Sequence, residues 1–129
     1  MLNKKLVFIL AITWTVLITY LSLATIDSSI GSAIKIPHKD KIVHFIFYFI
    51  FVFLWTISLS SSPYKSKVGI VILLIAIVYG ILMEVFQGLL TIDRTPDSND
   101  VIANSSGAIV GWFVAKKYLQ NKNQYKISH

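Results

Sequence analysis

Cysteine is missing from all 129 residues, which excludes disulfides and thiolate-bound metal and leaves the redox compartment open. Charge is nearly as scarce. Only 14% of residues are Asp, Glu, Lys or Arg, whereas ordinary globular chains carry about 25%, so a water-solvated domain is excluded. No internal repeat is visible, and beside one compact bundle there is no room for a separate soluble domain. A compact metal-binding signature is also absent. Ser105 and Ser106 sit beside Asn104, but no spacing supports a Ser-His-Asp hydrolase arrangement.

What the chain has in quantity is apolar residues, 55% of the total, gathered in blocks rather than at amphipathic spacing. Blocks of about 18 or more read as membrane-spanning helices. Four are expected, over residues 6–24, 42–59, 68–90 and 101–119. The first follows Lys4 and Lys5, as a secretion signal would. Its length exceeds the 7–15 residue apolar core of such signals, so a retained helix is expected despite the Ser22-Leu23-Ala24 ending. Ser60-Ser61-Ser62-Pro63 separates the second and third blocks. The connection from Thr25 to Lys39, with Gly31 and Pro37, is expected to lie along the head groups, and residues 121–129 to form a flexible basic tail. The fold class is therefore an all-α integral membrane bundle of four helices, residues 1–120 making its single domain.

The net charge of +6 comes from basic residues flanking the blocks. That favours anionic lipid head groups over nucleic acid. Lys4, Lys5, Lys65, Lys67, Lys116, Lys117, Lys122 and Lys126 fall on one side; Lys35, Lys39, Lys41 and Arg94 fall on the other. The positive-inside rule then puts both termini in the cytoplasm and the second set outside.

The few polar residues sit near that outer face. Glu84 is about 9 Å inside the end of its block by helical rise. A charge at the centre of a span costs about 2.5–3.5 kcal/mol, less near the interface, and such groups turn into the bundle to find partners. Asp40 and His44 are one helical turn apart, as are Glu84 and Gln87, while Asp97, Asp100 and Asn104 follow at steps that align on one face. Asp97 or Asp100 suits the cap of a helix that starts near Pro96. Ala103, Gly107 and Gly111 make a small-residue stripe for close helix packing.

Each signal has a plainer alternative. Asp40 and His44 read as an acid/base pair or as a cap with an interfacial histidine. Lys41 either reaches the head groups or pairs with Asp97. Glu84 either binds a ligand or handles a proton, or it makes a structural hydrogen bond to Gln87 or Asn104. Asp97, Asp100, Glu84 and His44 have the ligand types for a divalent cation, with oxygen-rich surroundings favouring Mg, Ca or Mn over zinc. The run from Phe45 to Phe53 is expected to form lipid-facing and packing surface, and Trp14 and Trp112 to be packing residues.

Three sequences, Asp40-Lys41-Ile42-Val43-His44-Phe45, Glu84-Val85-Phe86-Gln87 and Arg94-Thr95-Pro96-Asp97-Ser98-Asn99-Asp100, are followed by Asn104 and Gly107. In this order and placement they resemble the VanZ-like membrane proteins, a family named for a teicoplanin-resistance protein. The resemblance covers nearly the whole chain, least in the first helix and tail. It implies a multi-pass protein of the bacterial cell membrane, from a family associated with low-level glycopeptide antibiotic resistance. On this reading Asp40, Lys41, His44, Glu84, Gln87, Arg94, Asp97, Asp100 and Asn104 form an outward binding cluster. Its partners would be membrane lipids, a lipid-linked envelope precursor, a glycopeptide antibiotic or an envelope protein. The competing reading is an enzyme on a lipid-linked substrate, with Glu84 and His44 as candidate acid/base groups. An ion pathway ranks third, because one shallow polar layer does not continue through the lower half of the bundle.

Overall fold

Lipid offers no hydrogen bonds, so an apolar backbone must satisfy itself, and a helix does this within one segment. The computed structural model describes residues 3–24, 39–60, 66–91 and 95–127. Four helices account for almost all of them: α1 (Lys4–Leu23), α2 (Lys39–Leu59), α3 (Ser66–Leu90) and α4 (Ser98–Ile127). Each begins two or three residues ahead of its apolar block. Polar residues supply the first turn, where backbone N–H groups need outside acceptors. Asn3 shows the reason, its Oδ1 accepting the Lys5 N–H at 3.0 Å. The segment expected as a tail continues α4 as helix to Ile127.

Three helices are long and apolar enough to cross a membrane: α1, α2 and Lys67–Leu90 of α3. α4 is longer but falls outside that group, because Asn104, Ser105, Ser106, Lys116 and Lys117 dilute its apolar content. The expected connection through Gly31 and Pro37, the Ser61–Pro63 breaker and Arg94 lie outside the described residues.

α2 is the central rod and touches each of the other three, with its most extensive interface against α4. The reason is visible in the small-residue stripe. A Cβ built on Gly107 would strike the Phe45 carbonyl, and one on Gly111 the Phe49 carbonyl. Hydrogen at those two positions lets the backbones meet. Around this contact Tyr48, Phe51 and Val52 of α2 pack with Ile18, Ile72, Ala76 and Ala108. The Phe45–Phe53 run is correspondingly a packing surface: none of its five phenylalanines is exposed. Phe51 stacks on Tyr79 at 5.5 Å, and Trp14 meets the edge of Phe47 and donates to the Phe47 carbonyl at 3.0 Å. Ile46 of the same run is exposed, as are Val16, Leu74, Ile75 and Phe113 on the other helices.

Val7 of α1 clusters with Ile57 of α2 and Leu119 of α4, while Ser22 of α1 meets Gln87 of α3 and His44 of α2 meets Asn104 of α4, so α1 and α3 run one way and α2 and α4 the other. One end of the bundle therefore collects the C-terminal turns of α1 and α3 and the N-terminal turns of α2 and α4. Nearly every unusual polar residue is at that end.

Candidate binding site at the polar end

Asp97 fixes where α4 starts. Its Oδ1 accepts the Asn99 N–H at 2.8 Å, while its carbonyl accepts from the first turn, the Asp100 N–H at 3.0 Å and the Val101 N–H at 3.4 Å. These are the side-chain and carbonyl bonds of a helix N-cap. Pro96 therefore lies just outside the helix rather than in its first turn, and its ring rests against Gly88, where a Cβ would collide with it. With Asp97 capping, Asp100 in the first turn of α4 is free to point at α2.

Lys41 receives it. The Lys41 ammonium donates to Asp97 Oδ2 at 3.0 Å, Asp100 Oδ1 at 3.2 Å and Asp40 Oδ2 at 3.3 Å. One cation thus ties the first turns of α2 and α4, whose positive dipole ends also favour these carboxylates. The Asn99 N–H first, and the Lys41 ammonium second, hold the Asp97 carboxyl below its ordinary value.

One turn deeper, His44 Nδ1 lies 3.0 Å from Asn104 Oδ1. The amide oxygen can only accept, so Nδ1 is the donor in this bond. Nε2 faces Asp100 Oδ2 at 3.7 Å, and Nδ1 lies 3.8 Å from Glu84 Oε1. Both carboxylate separations exceed hydrogen-bond reach. The Glu84 side chain is only 4% exposed, and its Oε1 has no hydrogen-bond partner. Asn104, 1% exposed, likewise leaves Nδ2 unpartnered.

Gln87 points elsewhere. It donates to the Ser22 carbonyl at 2.8 Å, tying α3 to the last turn of α1. The expected Glu84 hydrogen bonds to Gln87 or Asn104 are therefore not made. Lys41, His44, Glu84, Asp97, Asp100 and Asn104 come together, with Asp40 at the rim, and Gln87 serves the α1 junction.

Two glycines absent from the expected set shape this site. A Cβ on Gly80 would sit 3.2 Å from Tyr48 and 3.3 Å from the Asn104 Cβ. Gly80, Glu84 and Gly88 repeat every fourth residue, the same signal as the α4 stripe. They form a groove along α3 that admits Asn104 above and Pro96 below the carboxylate.

The sequence model of the VanZ/LLP1 family matches residues 6–120, from α1 through most of α4. The chain belongs to the VanZ/LLP1 family. No curated protein and no solved structure gives a significant match. Membership agrees with a membrane-type protein and takes in every residue of the polar cluster.

Chemically, Lys41 is already shared by three carboxylates and Gln87 by a carbonyl. The valences still open are two acidic ones, Glu84 Oε1 and Asp100 Oδ2 across from the imidazole, and one amide donor, Asn104 Nδ2. Such an arrangement can accept hydrogen bonds from an amine or hydroxyl, or ligate a cation.

Proposed function

We propose that this VanZ/LLP1 protein is a four-span protein of the bacterial cell membrane, with both termini cytoplasmic. Its outward polar end binds the head group of an envelope lipid or of an amphiphilic glycopeptide antibiotic, and so protects the envelope. The observation that carries this reading is a buried carboxylate, Glu84, without a hydrogen-bond partner for Oε1, held where three helices converge. Because Lys41 and Gln87 are engaged, the favoured ligand offers amine or hydroxyl donors to Glu84 and Asp100 rather than phosphate to Lys41.

A fourth span is supported by the outward face of α4, where Ile102, Ile109, Val110, Phe113 and Val114 are exposed while Asn104 and the glycines turn inward. The charge asymmetry of the connections supports the orientation. The second reading, an enzyme on a lipid-linked substrate, draws on His44 standing between two carboxylates at 3.8 and 3.7 Å. It would use His44 and Glu84 as the acid/base pair.

Replacement variants distinguish the two. With expression and membrane insertion verified, Glu84→Gln and Arg94→Lys should each weaken teicoplanin tolerance partially if the cluster binds. If it catalyses, Glu84→Gln and His44→Ala should abolish tolerance while Arg94→Lys retains it. Tolerance unaffected by all three variants refutes both readings. For orientation, a cysteine at Ser32 or Ser98 should react with an impermeant maleimide from outside, and one at Ser61 should not. The reverse pattern inverts the topology.

A further inference from the structure

We infer that His44, Glu84 and Asp100 form a binding site for one divalent transition-metal cation. The inference needs no head-group ligand; the ion would take the same Glu84 and Asp100 oxygens that the proposed ligand would, and its test reads metal binding alone.

Geometry comes first. One ligand atom from each of the three residues lies within 4.8 Å of those of the other two. The imidazole Nε2 lies 3.7 Å from Asp100 Oδ2, while Glu84 Oε1 approaches the other ring nitrogen, Nδ1, at 3.8 Å. Those lengths are too long for hydrogen bonds. The Nε2–Asp100 separation suits two donors sharing an ion, since ligands each about 2.0–2.2 Å from one centre stand roughly 3–4 Å apart, and Glu84 completes the trio within 4.8 Å. The unpartnered Glu84 Oε1 is the second observation, because a carboxylate 4% exposed with nothing donating to that oxygen is a costly group to bury. A divalent ion between Glu84 and Asp100 would compensate both charges at once.

Surrounding contacts prepare each donor. Asn104 accepts a hydrogen bond from His44 Nδ1, which leaves Nε2, facing Asp100, as the ring nitrogen available to an ion. Metal-bound histidines are held this way, by an acceptor on the other ring nitrogen. Lys41 takes Asp100 Oδ1 and so turns Oδ2 toward the imidazole. Rigid helices carry all three donors: α2, α3 and α4.

The donor set selects the ion. Calcium and magnesium take oxygen ligands, and the imidazole nitrogen here disfavours them. One nitrogen with two carboxylates suits Mn²⁺ or Zn²⁺. Three protein donors also leave coordination positions for an outside oxygen or water, as in metal centres with open positions.

The test uses the full chain in lipid nanodiscs, stripped with chelator and titrated with Mn²⁺ while the free-ion EPR signal is followed. One Mn²⁺ should bind per chain, displaceable by Zn²⁺, and pulsed EPR of the bound ion should carry a coupling to imidazole nitrogen. Glu84→Gln, Asp100→Asn and His44→Gln should each weaken binding at least about tenfold; Ser106→Ala on the exposed side of α4 should not. Absence of stoichiometric binding, bound Mn²⁺ without the nitrogen coupling, or unchanged affinity in assembled Glu84→Gln and Asp100→Asn overturns the inference. If those variants fail to assemble, the nitrogen coupling in the wild-type chain decides alone.

Discussion

At one end of the bundle Val7, Ile57, Ala115 and Leu119 close on each other, with Phe53, Leu54 and Tyr118 packed around them. At the other end, three of the helices bring together Lys41, His44, Glu84, Asp100 and Asn104. Every carboxylate among the described residues, Asp40, Glu84, Asp97 and Asp100, lies at that second end. In lipid the apolar end gains little from hydrophobicity, since acyl chains are as apolar as leucine. Its cohesion is close packing. The polar end gains from bonds whose partners must be present and correctly aimed, and it leaves some unmade. Substitutions should therefore act through shape at one end and through partners at the other.

The largest effect should fall between the ends, where both depend on the approach of α2 and α4. Gly107→Val places side-chain atoms where the Phe45 carbonyl stands, and that backbone cannot swing aside as a side chain would. Overpacking of this kind costs about 3 kcal/mol, so the variant should unfold at much lower temperature in detergent or fail to accumulate. Retention of wild-type thermal stability would show that the helices need no such closeness. Next comes the apolar end alone. Leu119 is 7% exposed, and Leu119→Ala should cost about 2 kcal/mol, near the lower bound for a buried leucine. Because it removes shape and no partner, maleimide labelling at a cysteine in place of Ser98 should stay as in the parent. Altered labelling there would show that the two ends are coupled.

The same contrast explains what was legible in the sequence. Gathering of polar groups could be read because a charge in an apolar block has few places to go, and helical spacing fixes which residues share a face. The Gly107–Gly111 stripe was legible for the same geometric reason. Which face of α3 turns inward was harder, because the helix is apolar all round and lacks an amphipathic period. Its buried face carries small and polar residues, Gly69, Ala76, Gly80, Glu84 and Gln87, beside Ile72 and Met83, with many large aliphatics such as Leu74 and Val78 outside. Apolar residues therefore lie on both faces and do not distinguish them. Partner choice was not legible either. Gln87 lies one turn from Glu84, yet its amide reaches the Ser22 carbonyl on a helix 65 residues earlier. Nothing local encodes that bond. Helix starts fell early because hydropathy finds where apolar residues begin, whereas the polar first turn is set by capping.

The smallest effect, and the one that separates the ends most cleanly, comes from acid. Asp97 is ionised more readily than an ordinary carboxyl, whose value is 3.8, because the Asn99 N–H and then Lys41 favour its anion. A group held low in the folded state contributes fully above its ordinary value, and the contribution fades as pH falls through the lowered one. The first turn of α4 should therefore be unaffected between neutrality and pH 5 and should fray below about pH 3.8. Ala115 and Leu119 at the other end, with no carboxylate near them, should keep their protection. Hydrogen exchange along α4, corrected for the intrinsic pH dependence, would measure both segments in one experiment. Asp97→Asn should flatten the acid response of the first turn, since an asparagine oxygen caps without titrating; an undiminished response would show that Asp97 is not its source. Salt should weaken the Lys41 part and spare the larger share, because the leading cause is a backbone hydrogen bond rather than an ion pair.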